Sequence, residues 1–267
     1  MSWLMLMWMG CGPHKNTVEP ASLIEHFQVQ VAGDFGPVLL DDDQKTSLIP
    51  ESHVSLTMRL HWEPSRQFRD GSFGRLVEFD EAEMTVRRDG ETTVVPVELA
   101  GRAVELRTFP NGEILDVSWI SRVSGIGRSM DVFDVVFSAL SPSPPSLKEK
   151  QSVKRRIMFP YRDGNRLRWD HSVNAVWTHE GEAAHRELTV IQIGYEGPWQ
   201  TEGMTRGDPP RTKYLAAGMA DGVVLYDDKT SELVHHQFDW SREVQVVGTT
   251  GTLTQEQTFS GSVERLP

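Results

Sequence analysis

The chain has 267 residues, 38% of them hydrophobic and 24% charged, enough to build one large β domain or two small ones. Its 27 Lys and Arg stand against 38 Asp and Glu, a net charge of −11. That balance disfavours nucleic-acid partners and adsorption to anionic lipid through a basic patch. Cys11 is the single cysteine, so neither an intrachain disulfide nor a cysteine-rich metal site is available.

Residues Ser2 to Gly10 form an apolar run that ends at Cys11, and the polar, turn-prone stretch Gly12-Pro13-His14-Lys15-Asn16 follows. The run is too short to span a bilayer, and an apolar stretch ending in a small residue is what a signal peptidase needs. The segment Met7-Trp8-Met9-Gly10-Cys11 resembles a bacterial lipobox. That resemblance implies lipidation of Cys11, with residues 1–10 as a shortened signal segment and 11–21 as a tether. Gly12 in the next position implies sorting to the outer membrane. Acyl chains contribute about 0.8 kcal/mol per buried CH₂, so two or three anchor a chain stably.

A β-rich globular domain is expected over 22–267. Phe27–Val31 alternates and opens it as a strand; the loop Asp34–Pro37 and the acidic Asp41–Asp43 come next. From His53 to Trp62 the alternation is almost strict. Shorter runs cover Arg75–Phe79, Glu83–Arg87, Thr92–Val97, Ala103–Thr108 and Glu113–Trp119. Asp70-Gly71, Asp89-Gly90 and Asn111-Gly112 lie between such runs, each suited to a turn with positive φ, so an antiparallel meander is expected.

Ser129–Leu140 carries Phe133, Val136, Phe137 and Leu140 at helical spacing, and the proline-rich Ser141–Ser146 ends that helix. Gly125 to Ser129 reads as a flexible helix entry. The basic Lys148–Arg156 is expected to be an exposed loop. Strand signals resume at Arg166–Trp169, Ala175–Thr178, Leu188–Gly194, Lys213–Gly218, Gly222–Tyr226, Leu233–Trp240, Glu243–Val247 and Thr252–Phe259, with a long Gly- and Pro-rich loop over Glu196–Arg211. Val104–Trp119 and Gly222–Trp240 both read strand, polar turn, strand, tryptophan. They are either two related half-sheets joined near 129–156 or two ordinary hairpins.

The lipobox, the proline-containing middle and the late hairpin Leu225-Tyr226-Asp227-Asp228-Lys229-Thr230-Ser231-Glu232-Leu233 together resemble a group of bacterial lipoproteins of the LolA/LolB and LppX type. The resemblance implies a mainly β fold, a strongly curved antiparallel sheet (a half-barrel) with one or a few helices. It also implies an ability to hold an acyl chain or another apolar partner, and it brings no catalytic residues.

No glycine-rich phosphate loop, nucleophile elbow or HExxH motif occurs, so no catalytic residue and no cofactor is expected. The expected function is that of a lipid-anchored envelope protein, at the outer membrane facing periplasm or surface, acting as a non-catalytic binding or accessory protein. Its partners would be the membrane, an apolar ligand or an envelope protein, and no nucleic acid. Trp199, Phe133 and Phe137 are the candidate contacts. The alternatives are an interaction subunit of a surface or motility assembly, and a metal-dependent hydrolase centred on His171, His179 and His185. The spacing of those histidines matches no helical or customary ligand pattern, so the metal reading is the weaker. His235 and His236 are expected to point to opposite faces of a strand.

Overall fold

The structure is a computed structural model and describes residues 24–41, 46–97, 99–108, 114–120, 135–136, 139–140, 148–163, 167–205, 213–248 and 251–267. Cys11, the tether, Gly125 to Ser129, Asn111-Gly112, Phe133 and Phe137 lie outside the described residues.

Among the described residues fourteen strands make one sheet: β1 (Glu25–Phe35), β2 (Val38–Asp41), β3 (Thr46–Ile49), β4 (Ser52–Gln67), β5 (Phe73–Arg88), β6 (Glu91–Val95), β7 (Arg102–Thr108), β8 (Ile114–Trp119), β9 (Ser152–Asp163), β10 (Leu167–His185), β11 (Leu188–Thr205), β12 (Lys213–Asp227), β13 (Leu233–Gly248) and β14 (Gly251–Arg265). The pairings run β1-β4-β5-β7-β8-β9-β10-β11-β12-β13-β14, and β14 pairs in turn with β1. Every neighbouring pair along this path is antiparallel except β8 and β9, which meet in parallel over two residue pairs, Val117 with Tyr161 and Ser118 with Arg162. A parallel pairing needs a crossover of a dozen or more residues, and residues 120–151 supply it. The molecule is therefore mainly β, a strongly curved antiparallel sheet with a thin seam between β8 and β9.

Alternation gives the sheet one apolar and one polar face. Phe27, Val29 and Val31 of β1, Leu56, Met58, Leu60 and Trp62 of β4, and Trp177, Tyr195, Trp199 and Trp240 of later strands are buried. Ring contacts join strands that are not neighbours: Tyr195 of β11 meets His236 of β13 (centroids 5.5 Å apart), and Trp199 of β11 meets Phe259 of β14 (6.1 Å). Side chains can bridge non-adjacent strands in this way only from the concave face. Burying each large side chain there contributes about 1.5–3 kcal/mol. The outward positions Arg59, Glu81, Glu180, Glu196, Asp221 and Asp239 are exposed.

The strands are longer than the alternation predicts, because bulges and a Gly-Pro step break the sequence pattern without ending the strand. Arg75–Phe79 and Glu83–Arg87 are halves of β5, joined through a β-bulge: Leu60 faces Phe79 and Arg59 faces Glu81, which leaves Asp80 as the extra residue. The expected loop over Glu196–Arg211 is corrected as far as Thr205, since Glu196 to Thr205 belong to β11. There the β10–β11 pairing lapses between Val173/Trp199 and Val176/Glu196. Pro198 has no N–H to give the ladder, and Gly197 lies so close to β10 that a Cβ would sit 2.3 Å from the Asn174 carbonyl oxygen. A Gly-Pro step of that kind has the composition of a loop, although it stays paired with β12. The basic run Lys148–Arg156 is likewise not all loop, because β9 starts at Ser152.

The turns follow their residues. Asp89 and Gly90 carry φ of 51° and 81° and close the β5–β6 hairpin, the pair of left-handed residues that a two-residue turn requires. In the expected helix, Val135, Val136, Ala139 and Leu140 are helical and belong to the buried core. The buried stripe is thus broader than the Val136 and Leu140 positions expected from spacing.

Candidate functional site

The concave face carries a polar chain among its aromatic side chains. His236, 1% exposed on β13, has its Nδ1 2.9 Å from the Ala139 carbonyl oxygen. A carbonyl only accepts, so Nδ1 bears the proton and Nε2 is left as an acceptor. The Tyr195 hydroxyl donates to that Nε2 at 2.8 Å and accepts from Trp240 Nε1–H at 3.0 Å. Burial pushes the His236 pKa down to about 4; its bond to Ala139 opposes this and neighbouring His235 adds to it. Burial likewise pushes the Tyr195 phenol well above its ordinary range. The chain is therefore neutral, and it ties the helical segment to the inside of the sheet.

Further along β13, Arg242 is 3% exposed. Its Nε–H donates to Gln257 Oε1 at 2.8 Å, and its guanidinium lies 4.4 Å from the Trp199 ring centroid. The Trp199 indole N–H, buried beside it, has no acceptor among the described residues. A cation, an aromatic wall and an indole N–H without an acceptor among the described residues thus share one patch of the concave face.

One end of the sheet is closed by ion pairs. Arg265 reaches Glu25 (3.4 Å), Glu232 (3.3 Å) and Asp227 (3.6 Å), and Glu25 also accepts from Trp62 Nε1–H. Burial raises the Glu25 pKa, and the Trp62 bond and Arg265 only partly offset it. Asp227 accepts from the Lys229 and Thr230 amides at 2.8 and 3.1 Å. Burial acts to raise its pKa, but those bonds and Arg265 outweigh it, and the net shift is downward. The late hairpin that carried the family resemblance is thus held as a capped turn.

The outward face at this end holds two histidine groups. His185 and His235 stack at 5.4 Å on either side of Glu264; His185 Nε2 lies 3.0 Å from Glu264 Oε1, His235 Nδ1 bonds Oε2, and Arg186 is 2.7 Å from Oε1. Burial would raise Glu264, but these donors hold it below the usual carboxylate range. In the second group His26 and His61 pair across β1 and β4, beside Asp80.

His179 and His185, proposed as partners from sequence, are not brought together. His179 is buried on the concave face, whereas His185 ends β10 and points to Glu264. Six residues of strand separate them by about 20 Å at 3.3 Å per residue. The His171 side chain lies outside the described residues. Trp199 is 1% exposed and packs on Trp240 at 5.0 Å, so it stands in the wall of the concavity and not on a loop rim. His235 and His236 do face opposite sides, as alternation requires. Sequence reading missed the His26, His61 and Asp80 group: each histidine is visible at an outward position, but the register and the bulge that unite them are not.

No family model matches the chain, and no curated protein matches it. Among solved structures, engineered variants of the Rhodopseudomonas blastica porin align over 90% of this chain and all of theirs, at 8% identity and a TM-score of 0.20. A triple mutant of that porin gives 7% identity and 0.19. Scores that low carry no argument about fold or function. The polarity of the two faces is moreover opposite to that of a membrane-spanning barrel, whose outward band is apolar.

Proposed function

We propose that this chain is a lipid-anchored envelope protein, tethered through Cys11, that binds an apolar guest inside its curved sheet without catalysing a reaction. The observation that carries the reading is the concave face: an aromatic wall with the helical residues Val135, Val136, Ala139 and Leu140 packed on it, tied to the sheet by the His236–Ala139 bond. Apolar sites with a few convergent polar groups are the usual form of a small-molecule pocket. An acyl chain would take the place of the helical residues on the aromatic wall, its acidic head meeting Arg242 and the Trp199 N–H. The outward charges, and the lipobox-like segment before Cys11, accord with a domain held at a membrane by lipid.

The full-length chain carrying Cys11→Ser, purified and extracted with organic solvent, should yield co-purifying fatty acid or phospholipid by mass spectrometry. It should also bind a fluorescent fatty acid, with at least tenfold weaker binding in R242Q. If extraction recovers no lipid and the probe does not bind, the carrier reading falls. The chain is then better read as an interaction subunit, which affinity capture from envelope membranes addresses. Metabolic labelling of the wild-type chain with an alkyne fatty acid, lost in the Cys11→Ser variant, tests the anchor separately.

A further inference from the structure

We propose that the outward face carries a binding site for one divalent transition-metal ion, built from His26, His61 and Asp80. His26 of β1 and His61 of β4 are direct Cα partners in the ladder, and both alternate to the outward face between the buried Phe27, Leu60 and Trp62. Directly opposed residues on one face of a sheet hold their side chains within reach of each other, and here the imidazole centroids are 5.5 Å apart. The third ligand comes from the β5 bulge. Because Asp80 has no partner on β4, its carboxylate turns toward the two histidines, with Oδ1 2.8 Å from His61 Nδ1 and Oδ2 3.9 Å from His26 Nδ1. The candidate ligand atoms of the three residues all lie within 4.8 Å of one another.

A tetrahedral ion with bonds of about 2.0–2.1 Å needs its ligand atoms about 3.3 Å apart. The gap closes by rotation of His26, whose side chain is 53% exposed and so free to turn. The ion takes the place of the hydrogen bond between His61 Nδ1 and Asp80 Oδ1. Glu78 stands on the far side of His61, 3.9 Å from Nε2, close enough that a small rotation lets it accept from the Nε2–H of a ligating His61. Two imidazoles and one carboxylate suit zinc, cobalt, nickel or copper, whereas calcium and magnesium take oxygen ligands. The fourth position opens to solvent. Bound there, an ion joins β1, β4 and β5 at the place where the chain enters the sheet. The other surface histidine pair differs, because Arg186 already competes for Glu264 and sets a positive charge beside it.

The test is calorimetric titration of zinc chloride into the full-length chain carrying Cys11→Ser, made without a histidine tag and stripped of metal. One ion per chain is expected, with an accompanying rise in melting temperature. H26Q and D80N should each weaken binding at least tenfold and abolish that rise, while their metal-free melting temperatures stay close to the parent's. Cobalt should give the visible absorption of a four-coordinate ion in the parent and lose it in H26Q. H185Q should bind as the parent does. The proposal is overturned if the parent takes up no zinc, if H26Q and D80N bind like the parent, or if H185Q removes the binding.

Discussion

His236 shows how one side chain can set the pH response of this fold. Its folded pKa, about 4, lies below the ordinary histidine value of 6.5, so between these limits the unfolded chain binds the extra proton. Stability from this group is therefore complete above pH 6.5 and falls as pH drops toward 4, by about 3 kcal/mol in all. Urea unfolding at several pH values should show that decline. In H236F the decline should be shallower, and at pH 7 the variant should be less stable by about 1–3 kcal/mol, since the Ala139 carbonyl and the Tyr195 hydroxyl lose a buried partner. An unchanged pH slope in H236F would remove His236 as its cause.

In the strands and in the turns between them, glycine serves two different ends. Gly218 in β12 lies so near β13 that a Cβ would stand 1.8 Å from the Ser241 carbonyl oxygen and 2.5 Å from the Arg242 Cα. Both obstacles are backbone, so Gly218→Ala must push the strands apart and should cost about 3 kcal/mol or more in chemical denaturation. Gly90 has nothing within 4 Å of its Cβ position and needs only its φ of 81°. Gly90→Ala should therefore cost about 1–2 kcal/mol, through strain alone. The first kind of glycine is hard to read from a single strand, because what it makes room for is another strand. For the same reason Gly197-Pro198, where β11 closely approaches β10, has the signature of a loop, and Trp199 beside it reads as a rim residue when it is core. Asp80 is a further case: a bulge is a mismatch between two strands, and neither strand alone reveals it.

At the scale of the whole molecule, the shortest ladder on the path from β4 to β14 among the described residues is the two-pair parallel seam of β8 and β9, against ladders of a dozen or more pairs through β10 to β13. Local opening follows the bonds that must break, so hydrogen exchange should be fastest in peptides over 114–119 and slowest in those over 213–248. Equal protection in the two regions would mean that the seam is as firm as the rest.

What the sequence by itself determined is local in origin: the two-residue alternation that separates an apolar from a polar face, the Asp-Gly turn of the β5–β6 hairpin, the acidic surface and the apolar run before Cys11. Each follows from the residues and their near neighbours. Only the tertiary structure decided that half-strands such as Arg75–Phe79 and Glu83–Arg87 are continuous, and that the apolar face turns inward on Trp199 and the helical segment. The register that sets His26 beside His61 and Asp80 is decided there too. Register is a property of pairs of strands, and curvature of many strands together, so neither is written in any one stretch of chain.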